Sequence, residues 1–113
     1  IQARTLDCDK DPGPDSRRTT IPVLSLSEMM ELIDADKIDL LKIDTEGTEF
    51  EILMSQPAEV LARIERMILE VHERRPEKTV AQLGQFLESM GYKTRCHENY
   101  VHDYLYYLYA WRE

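Results

Sequence analysis

Short apolar runs alternate along this chain with polar, turn-forming stretches, and the period of each run predicts an element. Residues 38–44 (IDLLKID) form an almost continuous apolar run that breaks at Asp44-Thr45-Glu46-Gly47. So few polar positions predict a parallel strand covered on both faces. A helix is expected over 46–55, with Phe50, Leu53 and Met54 on its apolar side. Pro57 then opens a second short helix carrying Val60, Leu61 and Ile64. Residues 66–72 (RMILEVH) repeat the strand pattern, so the two strands should lie parallel through a right-handed crossover. That geometry sets Lys42 opposite Glu70 and gathers Asp44, Glu46, Glu70 and His72 at one end of the sheet.

Upstream of this unit the pattern is looser. Residues 1–8 read as a weakly alternating strand, followed by an Asp-, Pro- and Gly-rich loop. Residues 20–24 (TIPVL) read as a short strand near an edge, because Pro22 has no amide to donate. Ser25 and Glu28 have the spacing of a capping box, with Leu24 and Met29 placed as a hydrophobic staple. Leu26, Met29, Met30 and Ile33 then mark a helix that ends near residues 34–36. Downstream, Val80, Leu83, Leu87 and Met90 stripe a helix over 77–90, with Gly91 at its C-terminal cap. Residues 92–97 and 104–111 read as an antiparallel pair joined by a polar turn. The expected fold is α/β, a single partial domain with a loop-rich lead-in (1–20), an α/β core (21–97) and a terminal turn and strand (98–113).

Length and charge narrow the partners. The chain has 113 residues, 42% of them hydrophobic, enough for one core. A net charge of −8 argues against a nucleic-acid backbone as the main partner. No apolar run reaches membrane-spanning length and no secretory segment is present, which predicts a cytoplasmic protein. Cys8 and Cys96 form no redox or metal motif and are expected to be reduced and half-buried. The first residue is Ile, so the chain is read as part of a longer polypeptide. Asp7, Asp9 and Asp11 resemble the start of a calcium loop, but Pro12 and Arg18 stand where that loop needs Gly and Glu.

Candidate chemistry centres on the break after the first apolar run, since ligands favour the carboxyl ends of parallel strands. Asp44 and Glu46 are candidates for a base, a hydroxyl acceptor or a ligand. Their bland reading is a strand end and a helix-dipole partner. Gly47 allows close backbone approach or simply relieves the turn. His72 has the intrinsic pKa of a general base, although a lone histidine at a strand end is more often a hydrogen-bonded structural residue. Glu70 is expected to neutralise Lys42. His97 and His102 have no zinc spacing with His72, and no metal motif is read. The aromatics Tyr104, Tyr106, Tyr107, Tyr109 and Trp111 suit an interior or dimer-edge strand.

Taken together, IDLLKIDTEGTEFEIL, the later MILEVH and LGQFLESMGYKT, and the preceding PVLSLSEMM resemble the FkbM-type methyltransferases from about Ile21 to Tyr92. Thr45 and Thr48 stand where that family often has Val and Ala. The resemblance implies a class I, Rossmann-like fold and methyl transfer from S-adenosylmethionine to an oxygen of a small-molecule or sugar-type acceptor. It implies catalytic roles for Asp44, Glu46 and His72, and substrate contacts at Gly47 and Glu70. It also implies that the final hairpin closes the sheet. The glycine-rich donor-binding turn of that class is missing, so the chain reads as the C-terminal half of the enzyme. No cofactor-binding residue is assigned within it, and alone it is expected to be inactive. The rival reading is a non-catalytic interaction module, with dimerisation through the terminal aromatic strand. A metal hydrolase using Asp44, Glu46 and His72 ranks last, because a second ligand cluster is lacking.

Overall fold

The computed structural model describes residues 4–5, 22–45 and 47–113, with side chains from Val23 onward. The chain divides into two compact units, Ile1–Asp34 and Ala35–Glu113. The boundary falls inside the stretch read from sequence as one α/β core. The acidic 6–21 segment, including Cys8 and the Asp7, Asp9 and Asp11 pattern, lies outside the described residues, as does Glu46.

In the first unit, β1 (Arg4–Thr5) pairs antiparallel with β2 (Pro22–Val23), Arg4 opposite Val23. Helix α1 (Leu26–Leu32) starts where the capping box predicted. Ser25 Oγ accepts from the Glu28 amide at 3.2 Å, and Glu28 Oε1 accepts from the Ser25 amide at 3.0 Å. Two orphan amides are thereby satisfied at the helix start. Leu26 and Met30 are buried, whereas Met29 and Ile33, expected on the same stripe, are exposed. The helix is short: Ile33 is already its C-cap and Asp34 takes a positive φ of 54°. Ile33 therefore falls outside the helical register that would have turned it inward.

The second unit is a mixed four-stranded sheet, β3 (Ile38–Ile43), β4 (Ile64–His72), β5 (Lys93–Glu98) and β6 (Leu105–Trp111), in the order β3-β4-β6-β5. β3 and β4 are parallel, as the two apolar runs predicted, joined by helices α2 (Glu49–Met54) and α3 (Ala58–Leu61). β6 runs antiparallel to both β4 and β5. The aromatic strand is thus interior, and the sheet edges belong to β3 and β5. A partner pairing along a sheet edge would meet one of those two rather than the aromatic strand.

Side-chain alternation divides the sheet into unlike faces. Met67, Leu69 and Val71 of β4 and Leu108 and Ala110 of β6 point one way and are almost fully buried. They share the core with Phe50 and Leu53 of α2 and with Leu83 and Leu87 of helix α4 (Val80–Ser89). The opposite face carries Leu40, Lys42, Arg66, Ile68, Tyr109 and Trp111, and no described element of this unit covers it. Leu40 is 54% exposed. Among the described elements of this unit, β3 therefore stands at one end of the strand order and is covered on one face. Its apolar run reads like a strand covered on both sides, but periodicity cannot report which layers are present to cover it.

Helix α4 begins three residues later than the apolar stripe suggests. Arg75 to Lys78 form a tight turn, the Lys78 amide donating to the Arg75 carbonyl at 3.1 Å with Pro76 at its second position. Thr79 then caps the helix in a second capping box with Gln82. At the other end Gly91 has φ 95°, its amide donating to Glu88 O and the Tyr92 amide to Leu87 O, both at 3.0 Å. That is a Schellman closure, which needs the left-handed residue glycine supplies. It turns Tyr92 into the core, 3% exposed, with its hydroxyl 2.6 Å from the Leu61 carbonyl and 2.5 Å from that of Ile64. One phenol thereby ties the end of α4 to the α3–β4 junction. Arg112 lies over its ring at 4.0 Å.

Candidate active site

The pairing register determines what meets at the carboxyl end of β3 and β4. Lys42 is opposite Ile68 and Ile43 opposite Leu69, so continuing the register puts Asp44 opposite Glu70. Glu70 therefore does not face Lys42, as the sequence suggested. Its carboxyl shares a hydrogen bond with Asp44 instead, and Lys42 acts on it only at longer range. The shared bond, partial burial and the neighbouring Asp44 charge hold the Glu70 pKa above the ordinary carboxylate range. Asp44, Glu70 and His72 offer ligand atoms that all lie within 4.8 Å of one another. Among the described residues, these three are the group whose geometry could take a metal ion. No spacing along the chain announces such a set, because its members come from two strands.

A sign follows for stability. The folded state holds the Glu70 proton to higher pH than the unfolded state does. Stability from this group is present below the unfolded carboxylate pKa and is lost as pH rises through the folded one. Replacement by glutamine should flatten that acid-side slope and raise stability at neutral pH, by less than about 1 kcal/mol because solvent screens the pair. Urea unfolding midpoints from pH 4 to 8 test this; a lower midpoint for Glu70→Gln at neutral pH would contradict it.

The organising residue at this end is one the sequence reading passed over. Glu49, the first residue of α2, is completely buried. Its Oε2 accepts from the Gly47 amide at 2.7 Å, and its Oε1 accepts from the His72 amide at 3.0 Å and lies 2.5 Å from His72 Nδ1. Two amides already donate to this carboxylate, and the tautomer that matches them has Nδ1 donating as well. The other ring nitrogen, Nε2, is left with its lone pair in the neutral imidazole. His72 is thus held by Glu49 through both its backbone and its ring, as the structural reading expects. Gly47 has φ 129°, a conformation side chains rarely adopt, so the turn that aims its amide at Glu49 requires glycine. The signal in the sequence was Glu49 falling one helical turn before Leu53, on the same apolar stripe.

Beside this cluster is a cleft of ≈ 330 Å³ lined by Gly47, Thr48, Glu51, His72, Arg74, Arg75 and Lys78. Arg74 and Arg75 stand out in the sequence only as a basic pair too short for a nucleic-acid stripe, and Lys78 does not stand out at all. Lys78 Nζ pairs with Glu51, and Lys78 keeps the Glu51 pKa below its ordinary value against the opposing effect of burial. Arg74 stacks over Tyr104 at 5.3 Å. Of the other candidates, His97 packs edge-on against Tyr109 on β6, and His102 stands in the turn before it. Cys96 is exposed rather than half-buried.

Strand-end carboxylates and a held histidine beside an open cleft define a site of the kind α/β enzymes build at the carboxyl ends of parallel strands. The chain belongs to the methyltransferase FkbM domain family, whose model matches residues 4–94. It is also similar to the AMB antimetabolite synthetase AmbE of Pseudomonas aeruginosa, 30% identical over 71 residues. That match covers 60% of this chain but 3% of AmbE, so the chain spans a small part of the relative's length. No solved structure matches it. Among the described residues no helix is long and apolar enough to cross a membrane.

Proposed function

We propose that this chain is the acceptor side of a cytoplasmic, S-adenosylmethionine-dependent O-methyltransferase acting on a small-molecule or sugar-type hydroxyl. The observation that carries the reading is the Asp44–Glu70–His72 cluster beside an open cleft, in a chain of a methyltransferase family. The strand order adds support, since two parallel strands followed by an inserted antiparallel hairpin suit the C-terminal half of a class I sheet. S-adenosylmethionine supplies an electrophilic methyl group when bound. Arg74, Arg75 and Lys78 line the cleft and repel the donor's sulfonium, a cation, so the end of the donor that carries the methyl group is disfavoured against that wall. The chain's own contribution is therefore to the acceptor. Asp44 accepts a hydrogen bond from the acceptor hydroxyl and orients it, while Asp44 or His72 Nε2 takes its proton as the new bond forms. Gly47 and Glu70 border the same space.

On this reading the isolated chain binds the donor weakly and does not turn over. Calorimetric titration of S-adenosylmethionine into this chain and into the polypeptide extended upstream checks it. Binding by the extended form alone is expected; binding by neither removes the catalytic reading. A non-catalytic interaction module would then be favoured, on the open face where Leu40, Ile68, Tyr109 and Trp111 border a broad groove.

A further inference from the structure

The cleft beside the cluster is cationic in a chain whose net charge is −8. Arg74 follows β4 by two residues, and its guanidinium rests on the Tyr104 ring, which limits where it can point. Arg75 and Lys78 are the first and last residues of the Pro76 turn, cross-bridged through their backbones, so one tight structure delivers both to the cleft. Lys78 is matched by Glu51. Neither Arg74 nor Arg75 has a salt-bridge partner among the described residues; Arg75 acts on Glu51 only at longer range, so the one carboxylate among the described lining residues, Glu51, faces three cations. A pair of guanidiniums presented together is the arrangement proteins use to grip planar or tetrahedral oxyanions through parallel N–H donors. The acidic cluster lies next to it, His72 belonging to both. A molecule held by its anion in the cleft would thus bring its neighbouring atoms to Asp44 and His72.

We propose that the cleft binds the anionic group, phosphate or carboxylate, of an acidic methyl acceptor, with Arg74 and Arg75 as its main ligands and Lys78 as a third cation. The assignment rests on the acceptor-side reading above and narrows it: the hydroxyl to be methylated belongs to a sugar phosphate or hydroxy acid rather than to a neutral polyol.

The test reads anion binding without donor or turnover, so its failure is separable from failure of the methyltransferase reading. Inorganic phosphate, acetate and the neutral control glycerol are titrated into the chain at constant ionic strength, and amide resonances are followed by NMR. Phosphate or acetate should saturate shifts at Gly47, Thr48, Arg74, Arg75, Glu77 and Lys78, while glycerol moves none of them. Saturation by phosphate alone points to a phosphate ester, and comparable saturation by acetate to a carboxylic acid. In the Arg74→Gln/Arg75→Gln double variant the apparent Kd should rise at least about ten-fold, with the core resonances of Leu69, Leu87 and Leu108 unchanged as proof of folding. Glu51→Gln frees Lys78 and should tighten binding. No saturable shift in the wild-type chain, or equal affinity in the folded double variant, overturns the proposal.

Discussion

Glu49→Ala is expected to be the most destabilising single change at the site, costing about 3–5 kcal/mol. The side chain is completely buried and receives the Gly47 amide, the His72 amide and the His72 ring. Alanine leaves all three without their partner, two of them on the buried His72, and each stranded buried donor costs about 1–3 kcal/mol. A domain of this size has only about 5–15 kcal/mol to lose. Urea unfolding should show a large drop in midpoint with little change in slope, and a loss below about 1 kcal/mol would refute the anchoring role. Glu49→Gln separates geometry from charge. Wherever its amide nitrogen sits, one backbone donor loses its acceptor, Gly47 on one side or His72 on the other. With the nitrogen toward His72, Nδ1 must become the acceptor and the ring proton moves to Nε2. Ring nitrogen shifts in NMR spectra would report that exchange.

Little of this anchor was legible in the sequence, and the reason is physical. An acidic residue in the first turn of a helix already has a sufficient explanation in the helix dipole. Nothing local to Glu49 announces a partner 23 residues away. The opposition of Asp44 and Glu70 was hidden in the same way, because the register depends on how much chain the α2–α3 crossover consumes. What could be read was what is local. Ser25 and Glu28 gave the start of α1, Gly91 the end of α4, and the two apolar runs a parallel pair. The family resemblance was legible too, carried by the order of motifs. Glu46, expected to be catalytic, lies outside the described residues.

Asp44→Asn in the complete enzyme is expected to lower kcat by about 10²–10⁴-fold, the usual contribution of a positioned acid–base group. The change is nearly isosteric, so KM for the acceptor should move far less. An amide oxygen can still accept the acceptor's hydroxyl proton in a hydrogen bond, but it cannot take that proton away. The substitution also removes the charge that keeps Glu70 protonated to higher pH, so Glu70 should titrate closer to an ordinary carboxylate. Turnover measured across pH distinguishes the candidates. If Asp44 is the base, the variant is slow throughout. Unchanged turnover would transfer the role to His72 and end the assignment made above.

The Arg75–Lys78 turn closes on itself through its own backbone, and Thr79 caps the helix after it. Glu49 fastens Gly47 and His72 by a separate set of bonds. Side chains on that turn can therefore drift in evolution, or be exchanged by an engineer, with little disturbance of Asp44 and His72. A lineage could retarget such an enzyme to new molecules by editing four consecutive positions while leaving its chemistry in place.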